Sequence, residues 1–340
     1  MKRPTIADIA QRVGVSQGAV SYALNGRPGV SEATRARVLK VADELGWRPS
    51  AAARALTGAH SGAIGLVLSR PPSVLGAEPF FMELFSGIET ALKPQSYALM
   101  VQMADDQDAE IEVYRRWWAE GRIDGAIVVE VHVADRRTPV LEALGMPAVV
   151  IGGLPGSGSL VSVRSDESAP VHETVQYLAA LGHRRIARVA GLPHLVHTKV
   201  RDEAFAEACA RLGLEECATL HTDYTGEEGA RATRRLISSP TRPTAIVYDN
   251  DIMAVAGLSV AQEMRLRVPD DLSLVAWDDS QLAQVVRPAL TAMRRDVPAL
   301  GTAAARLLLS LIGGETVSDL ETEPAQLAPR GSTGPLAQER

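Results

Sequence analysis

Gln17, Ser21, Tyr22 and Asn25, in the stretch SQGAVSYALN, are the residues whose type and spacing define a chemistry most sharply. With Gly18 they leave one polar face on a short helix, while Val20, Ala23 and Leu24 recur at helical spacing on the other side. Amide and phenol groups on an exposed helix face read flat, polar edges, and a glutamine amide pairs bidentately with adenine. Such a face needs a rigid seat. Ser16 is suited to cap the helix N-terminus, because its hydroxyl can accept a free backbone N–H of the first turn. Upstream, Thr5 and Asp8 have capping-box spacing, and Ile6, Ile9, Ala10 and Val13 form an apolar stripe. Gly14-Val15-Ser16 joins the two helices through a tight turn. Two helices so joined form a helix-turn-helix, which sets its second helix in the major groove of DNA.

Other chemistries find little support. Gly152 to Gly158 is a glycine-rich run after a strand, but no helix follows it, so it reads as a loop and not a phosphate cradle. His194 and His197 lie three apart with no third ligand nearby, which argues against a metal site. There is no serine nucleophile elbow, no P-loop and no CxxC pair. An enzyme on a doubly wound fold is therefore the weaker reading, and no cofactor is expected. Cys209 and Cys217 are too few for a disulfide framework and fit a reducing cytoplasm.

The charge is divided unequally. The chain of 340 residues carries a net −6, yet residues 1–60 hold nine Lys and Arg against four Asp and Glu. A basic head on an acidic body implies that the head meets a polyanion. Hydrophobic residues make up 46%, enough for a large core, and no apolar run is long enough to cross a membrane. MKRPTIADIAQR lacks the apolar region of a secretory signal, which argues against a solute-binding protein that serves a transporter.

Gly26-Arg27-Pro28-Gly29 then forms a loop whose arginine can reach phosphate. Ser31 caps a third helix with a stripe of Val38, Val41, Ala42 and Leu45, which Gly46 ends. Ser50 to Leu56 is alanine-rich but about two turns long, too short for an isolated helix in water. Residues 57–62 read as a linker. Beyond them the apolar runs 63–68, 98–103, 125–131 and 148–151, and later 185–190, 244–248 and 272–276, alternate with helical stretches. Two βα series of this kind predict two doubly wound lobes, with ligands held beyond the carboxyl ends of their strands.

Residues 5–62 resemble the N-terminal region of the LacI/GalR family of bacterial transcription repressors. The pieces that carry the likeness are TIADIAQRVGVS, AVSYALNG, GVSEATRARVLKVADELGWRPS and AAARALTG. The resemblance implies base reading by Gln17, Gly18 and Tyr22, within a DNA-binding set of Thr5, Ser16, Gln17, Gly18, Ser21, Tyr22, Asn25, Arg27, Ala53 and Leu56. Leu56 is implied to wedge into the minor groove of a kinked operator, with Ala53 beside it. The chain departs from the family in having alanine at 19, where threonine is common, and tyrosine at 22, where arginine or histidine is common.

The body is similar, more weakly per residue, to periplasmic sugar-binding proteins. That likeness implies an effector site of Phe80, Phe81, Asp166, Arg201, Tyr224, Asn250 and Asp278, in which polar groups bind hydroxyls and aromatics stack on sugar rings. The family usually has glycine where Ala204 stands. The expected protein is thus an all-α helix-turn-helix head (1–48), a hinge helix and linker (49–62), an α/β two-lobed body of the type I periplasmic-binding-protein-like class (63–333) and a disordered tail (334–340). It is expected to be a cytoplasmic homodimer on a pseudo-palindromic double-stranded DNA operator, with a small-molecule effector, a sugar, as inducer or corepressor.

Overall fold

The computed structural model describes residues 4–47, 60–70, 72–153, 158–214 and 216–336. Ala53 and Leu56 lie outside the described residues. The chain divides into Met1–Ser61 and Gly62–Arg340, one residue from the expected start of the body.

Among the described residues the head comprises α1 (Ile6–Val13), α2 (Gln17–Leu24) and α3 (Glu32–Glu44). Thr5 and Asp8 form a reciprocal capping box at the start of α1, and Gly14 ends it in the left-handed conformation, with φ of 77°. Ser16 caps α2 by accepting the amide of Ala19 at 3.1 Å. The expected stripes converge: Ile9, Ala10, Val13, Val20, Ala23, Val38 and Ala42 are buried together. An arginine ties the third helix to the first, as Arg37 Nη2 donates to the carbonyl of Val13.

The body holds two six-stranded sheets. The first runs β11 (Leu320–Thr322), β5 (Val161–Ser165), β4 (Ala148–Ile151), β3 (Gly125–Val128), β1 (Ala63–Leu68) and β2 (Ala98–Met103), parallel throughout. The second runs β12 (Gln326–Ala328), β10 (Thr291–Arg294), β9 (Ser273–Trp277), β8 (Ala245–Tyr248), β6 (Arg185–Ala190) and β7 (Glu216–His221), with only β12 antiparallel to its neighbour. Helices cover both faces of each sheet, which is why most strands read as unbroken apolar runs. The chain passes between lobes three times, at 166–168, 295–296 and 323–325. The stretch 320–330 supplies an edge strand to each sheet and, between them, the last crossing.

Helix Val297–Ile312 returns to the first lobe and packs on helix Pro79–Leu92. The backbones nearly touch: a Cβ on Gly87 would stand 2.0 Å from the Pro298 carbonyl oxygen, and one on Gly301 2.4 Å from that of Leu84.

Three expectations need correction. The strand expected over 125–131 ends at Val128, because Glu130 turns the backbone with φ of 52°. The tail is not disordered from 334: Gly334 N–H donates to Ser273 Oγ at 3.2 Å and the Leu336 amide to the Leu181 carbonyl at 2.9 Å. Cys209 and Cys217, expected to form no disulfide framework and to fit a reducing compartment, are joined as a disulfide. The turn after helix Val196–Arg211 brings their Cα atoms to 6.5 Å, within bridging distance.

Candidate DNA-reading face and effector cleft

On the head, Gln17, Gly18, Tyr22, Asn25 and Arg27 are exposed and Ser21 is half-buried. The structure separates them by task. Ser16 and Asn25 shape the ends of α2: Asn25 Nδ2 donates to the Ser21 carbonyl at 2.9 Å. Tyr22 is 45% exposed and its ring rests by the Gly29 turn, where a Cβ would stand 3.4 Å from Cδ2. The Arg27 carbonyl is held by Arg35 Nη2 at 3.0 Å, which fixes the loop. Gln17 and Tyr22 are therefore side chains on a seated helix, with the open position of Gly18 beside Gln17.

In the body a cavity of about 1410 Å³ lies between the lobes. Its walls follow from strand order. In the first sheet order reverses between β1 and β3, and Arg70 and Glu130 follow those strands. Arg70 Nε donates to Glu130 Oε1 at 2.6 Å. In the second sheet it reverses between β6 and β8, and Gly191 and Asp249 follow them. Asp249 Oδ2 accepts the Gly191 amide at 3.1 Å. Both pairs occupy topological switch points, where open α/β sheets hold ligands.

The expected effector residues Phe80, Phe81, Asp166, Arg201, Tyr224 and Asp278 all line this cavity. Phe80 and Phe81 meet edge to face at 5.3 Å; Phe81 is buried, while Phe80 lies beneath the Arg295 guanidinium at 4.9 Å. Asp166 is exposed and its Oδ1 accepts the amides of Ser168 and Ala169 at 2.7 and 3.1 Å, so it also caps a helix. Arg201 sits in the second turn of its helix, 2% exposed, and donates twice to Glu167 Oε2. Asp278 accepts from Arg295 Nε at 2.6 Å. Tyr224 has φ of 70°, and its hydroxyl meets His197 Nε2 at 2.7 Å and Thr198 Oγ1 at 3.1 Å. Its ring fits only because position 191 lacks a side chain: a Cβ on Gly191 would stand 1.8 Å from Cζ.

Asn250 is the exception. It is buried, caps helix Asp251–Glu263 by accepting the Met253 amide at 2.9 Å, and donates to the Tyr224 carbonyl at 2.9 Å. It stands behind the wall and positions Tyr224, while its neighbour Asp249 lines the cavity. An asparagine just before a helix is drawn into its first turn by the unbonded amides there.

Sequence reasoning missed Arg70, Glu78, Glu130, Glu167, Asp249 and Arg295. Two lie on lobe crossings: Glu167 on the first and Arg295 on the second, with Arg295 Nη1 3.5 Å from Glu167 Oε1. The guanidiniums of Arg201 and Arg295 hold the Glu167 carboxyl below its usual range against the cost of burial, and Arg188 and Arg201 do the same for Asp249. Burial and neighbouring guanidiniums depress His197 strongly, so its imidazole is neutral and bonds to Tyr224 without adding charge. The cavity thus presents several carboxylate–guanidinium pairs beside aromatic rings.

Residues 5–50 match the bacterial regulatory proteins of the lacI family, and residues 175–333 match the periplasmic binding protein-like domain. The HTH-type transcriptional regulator CelR of Thermobifida fusca is 32% identical over 331 residues, which are 96% of this chain and 95% of that protein. The solved complex of transcriptional regulator CelR with cellobiose is 29% identical, with a TM-score of 0.73, and covers 97% of this chain and all of its own. The Lac repressor dimer bound to operator and the anti-inducer ONPF is 26% identical, with a TM-score of 0.83 over 98% of this chain and 100% of its own. With a helix-turn-helix head on a two-lobed body and relatives that span its length, the chain belongs to the LacI family of bacterial regulatory proteins and is a DNA-binding transcriptional regulator.

Proposed function

We propose that this regulator is a cytoplasmic repressor that binds a pseudo-palindromic operator as a homodimer and that a sugar held between the lobes sets its operator affinity. The observation that carries the reading is the position of Glu167 and Arg295 on two lobe crossings and in the cavity wall at once. A ligand that reorganises these ions alters the segments about which the lobes turn. Its effect on DNA equals its differential affinity for the two lobe arrangements. The aromatic faces of Phe80 and Tyr224 and the paired carboxylates suit a polyhydroxylated ring, as does the cellobiose in the related CelR complex. Two copies of α2 on one duplex read two half-sites about one helical turn apart. Gln17 and Tyr22 supply the readout.

The test is fluorescence anisotropy of the full chain on operator fragments selected from a random pool, repeated with a sugar panel that includes cellobiose. Selection of an inverted repeat, a dimer by sedimentation and a sugar-dependent change in affinity are expected. A monomer that binds all fragments equally, or an operator affinity that no sugar alters, contradicts the proposal.

A further inference from the structure

Glu78 is the residue of the cleft whose chemistry is left incomplete. It stands at the N-cap position of helix Pro79–Leu92, yet its side chain bonds to none of the helix amides. It is 7% exposed and lines the cavity. Oε1 lies 3.4 Å from Asn250 Nδ2, and Oε2 is buried with no hydrogen-bond partner among the described residues. Four other carboxylates of the cavity wall have guanidinium partners: Glu130 has Arg70, Glu167 has Arg201, Asp249 has Arg188, and Asp278 has Arg295. Arg70 is the cation nearest in effect to Glu78, but its Nε faces Glu130 and its Nη1 donates to the Asp223 carbonyl at 3.2 Å. Burial raises the Glu78 carboxyl to about 7, so it is poised to ionise when a cation approaches.

The wall as a whole leans the same way. Among the described residues, ten Asp and Glu line the cavity against six Arg. A phosphorylated ligand meets repulsion there, and an ammonium does not. The terminal torsion of a glutamate is soft, so its carboxylate turns to present an oxygen to the cavity at little cost. An ammonium offers three donors and a full charge to an acceptor that lacks both.

We infer that the effector carries a protonated amino group, as an amino sugar does, and that Glu78 is the residue that selects it. The inference rests on the cleft being the effector site. Glu78 thereby discriminates between a sugar amine and the hydroxyl of its neutral parent.

The test uses the full chain, wild type and Glu78→Gln, in calorimetric titrations and thermal-shift assays at neutral pH. The probes are glucosamine, galactosamine, glucose, galactose, N-acetylglucosamine, cellobiose and glucose 6-phosphate. The amines are expected to bind wild type at least about tenfold tighter than their neutral parents and N-acetylglucosamine, with no shift from glucose 6-phosphate. In Glu78→Gln the amine advantage falls to within about twofold, and Glu78→Asp, which keeps the charge, restores part of it. Neutral sugars that bind as tightly as the amines, or an advantage that survives Glu78→Gln, overturn the role of Glu78 and leave the sugar cleft standing. Silence from every sugar in the panel overturns both.

Discussion

The guanidinium of Arg201 lies 3.7 Å over the indole ring of Trp277, while its Nε and Nη2 donate to one oxygen of Glu167 at 2.8 and 2.6 Å. Planarity serves both contacts at once, and a lysine ammonium has no plane to lay on the indole while it donates to Glu167. Arg201→Lys is therefore expected to weaken effector binding by at least about tenfold, or roughly 1.4 kcal/mol, and to lower the urea midpoint of the body. Titration calorimetry and equilibrium unfolding check both. Wild-type affinity in a folded lysine variant contradicts the assignment.

Asn250 separates two roles at one position. Serine keeps the helix cap but is too short to reach the Tyr224 carbonyl. Asn250→Ser is expected to cost under about 1 kcal/mol of stability, less than Asn250→Ala, while effector affinity falls several-fold as Tyr224 loses its anchor. Equal losses of stability in both variants, with affinity intact, contradict a positioning role.

Asp251 provides a pH signature. It is buried, accepts a hydrogen bond from Ser280, and burial raises its carboxyl to about 6. A carboxyl raised on folding contributes its full stability below the unfolded value and loses it as pH rises through the folded one. His132, His183 and His197 work in the opposite sense, because burial depresses them and the unfolded chain protonates first on acidification. The difference between Asp251→Asn and wild type cancels the histidines. The variant is expected to gain on wild type by about 2 kcal/mol between about pH 4 and about pH 8, read from urea midpoints. Parallel curves contradict it.

Tyr22 tests the head. Its exposed ring is expected to contribute little to folding, so Tyr22→Ala shifts stability by under about 1 kcal/mol. Affinity for the selected operator falls by about 1–3 kcal/mol and tolerance of base changes in each half-site rises. Non-specific binding and the slope of affinity against salt stay unchanged, since no phosphate contact is removed. Unaltered base preference contradicts the reading.

The head was legible because its signals are local. A capping box, a serine cap and apolar stripes lie within single turns, and each appears where its spacing places it. The cleft was legible only in part. Phe80, Arg201 and Asp278 stand out in the sequence by type and motif. Glu78, Glu130 and Asp249 acquire their meaning from the order in which the strands lie side by side, and spacing along the chain does not encode that order. Asn250 caps the helix behind the wall for a related reason: one residue of shift past Asp249 takes a side chain from the cavity lining to the helix start.

The strands β11 and β12 are three residues apart, yet each completes the edge of a different sheet, and Ser332 then donates to Leu274 and accepts from Thr291 in the second. A chain cut short of Leu320 leaves β5 and β10 as bare sheet edges, and such edges template pairing with other chains. That truncation is expected to clump more readily than the full chain during refolding, read by light scattering.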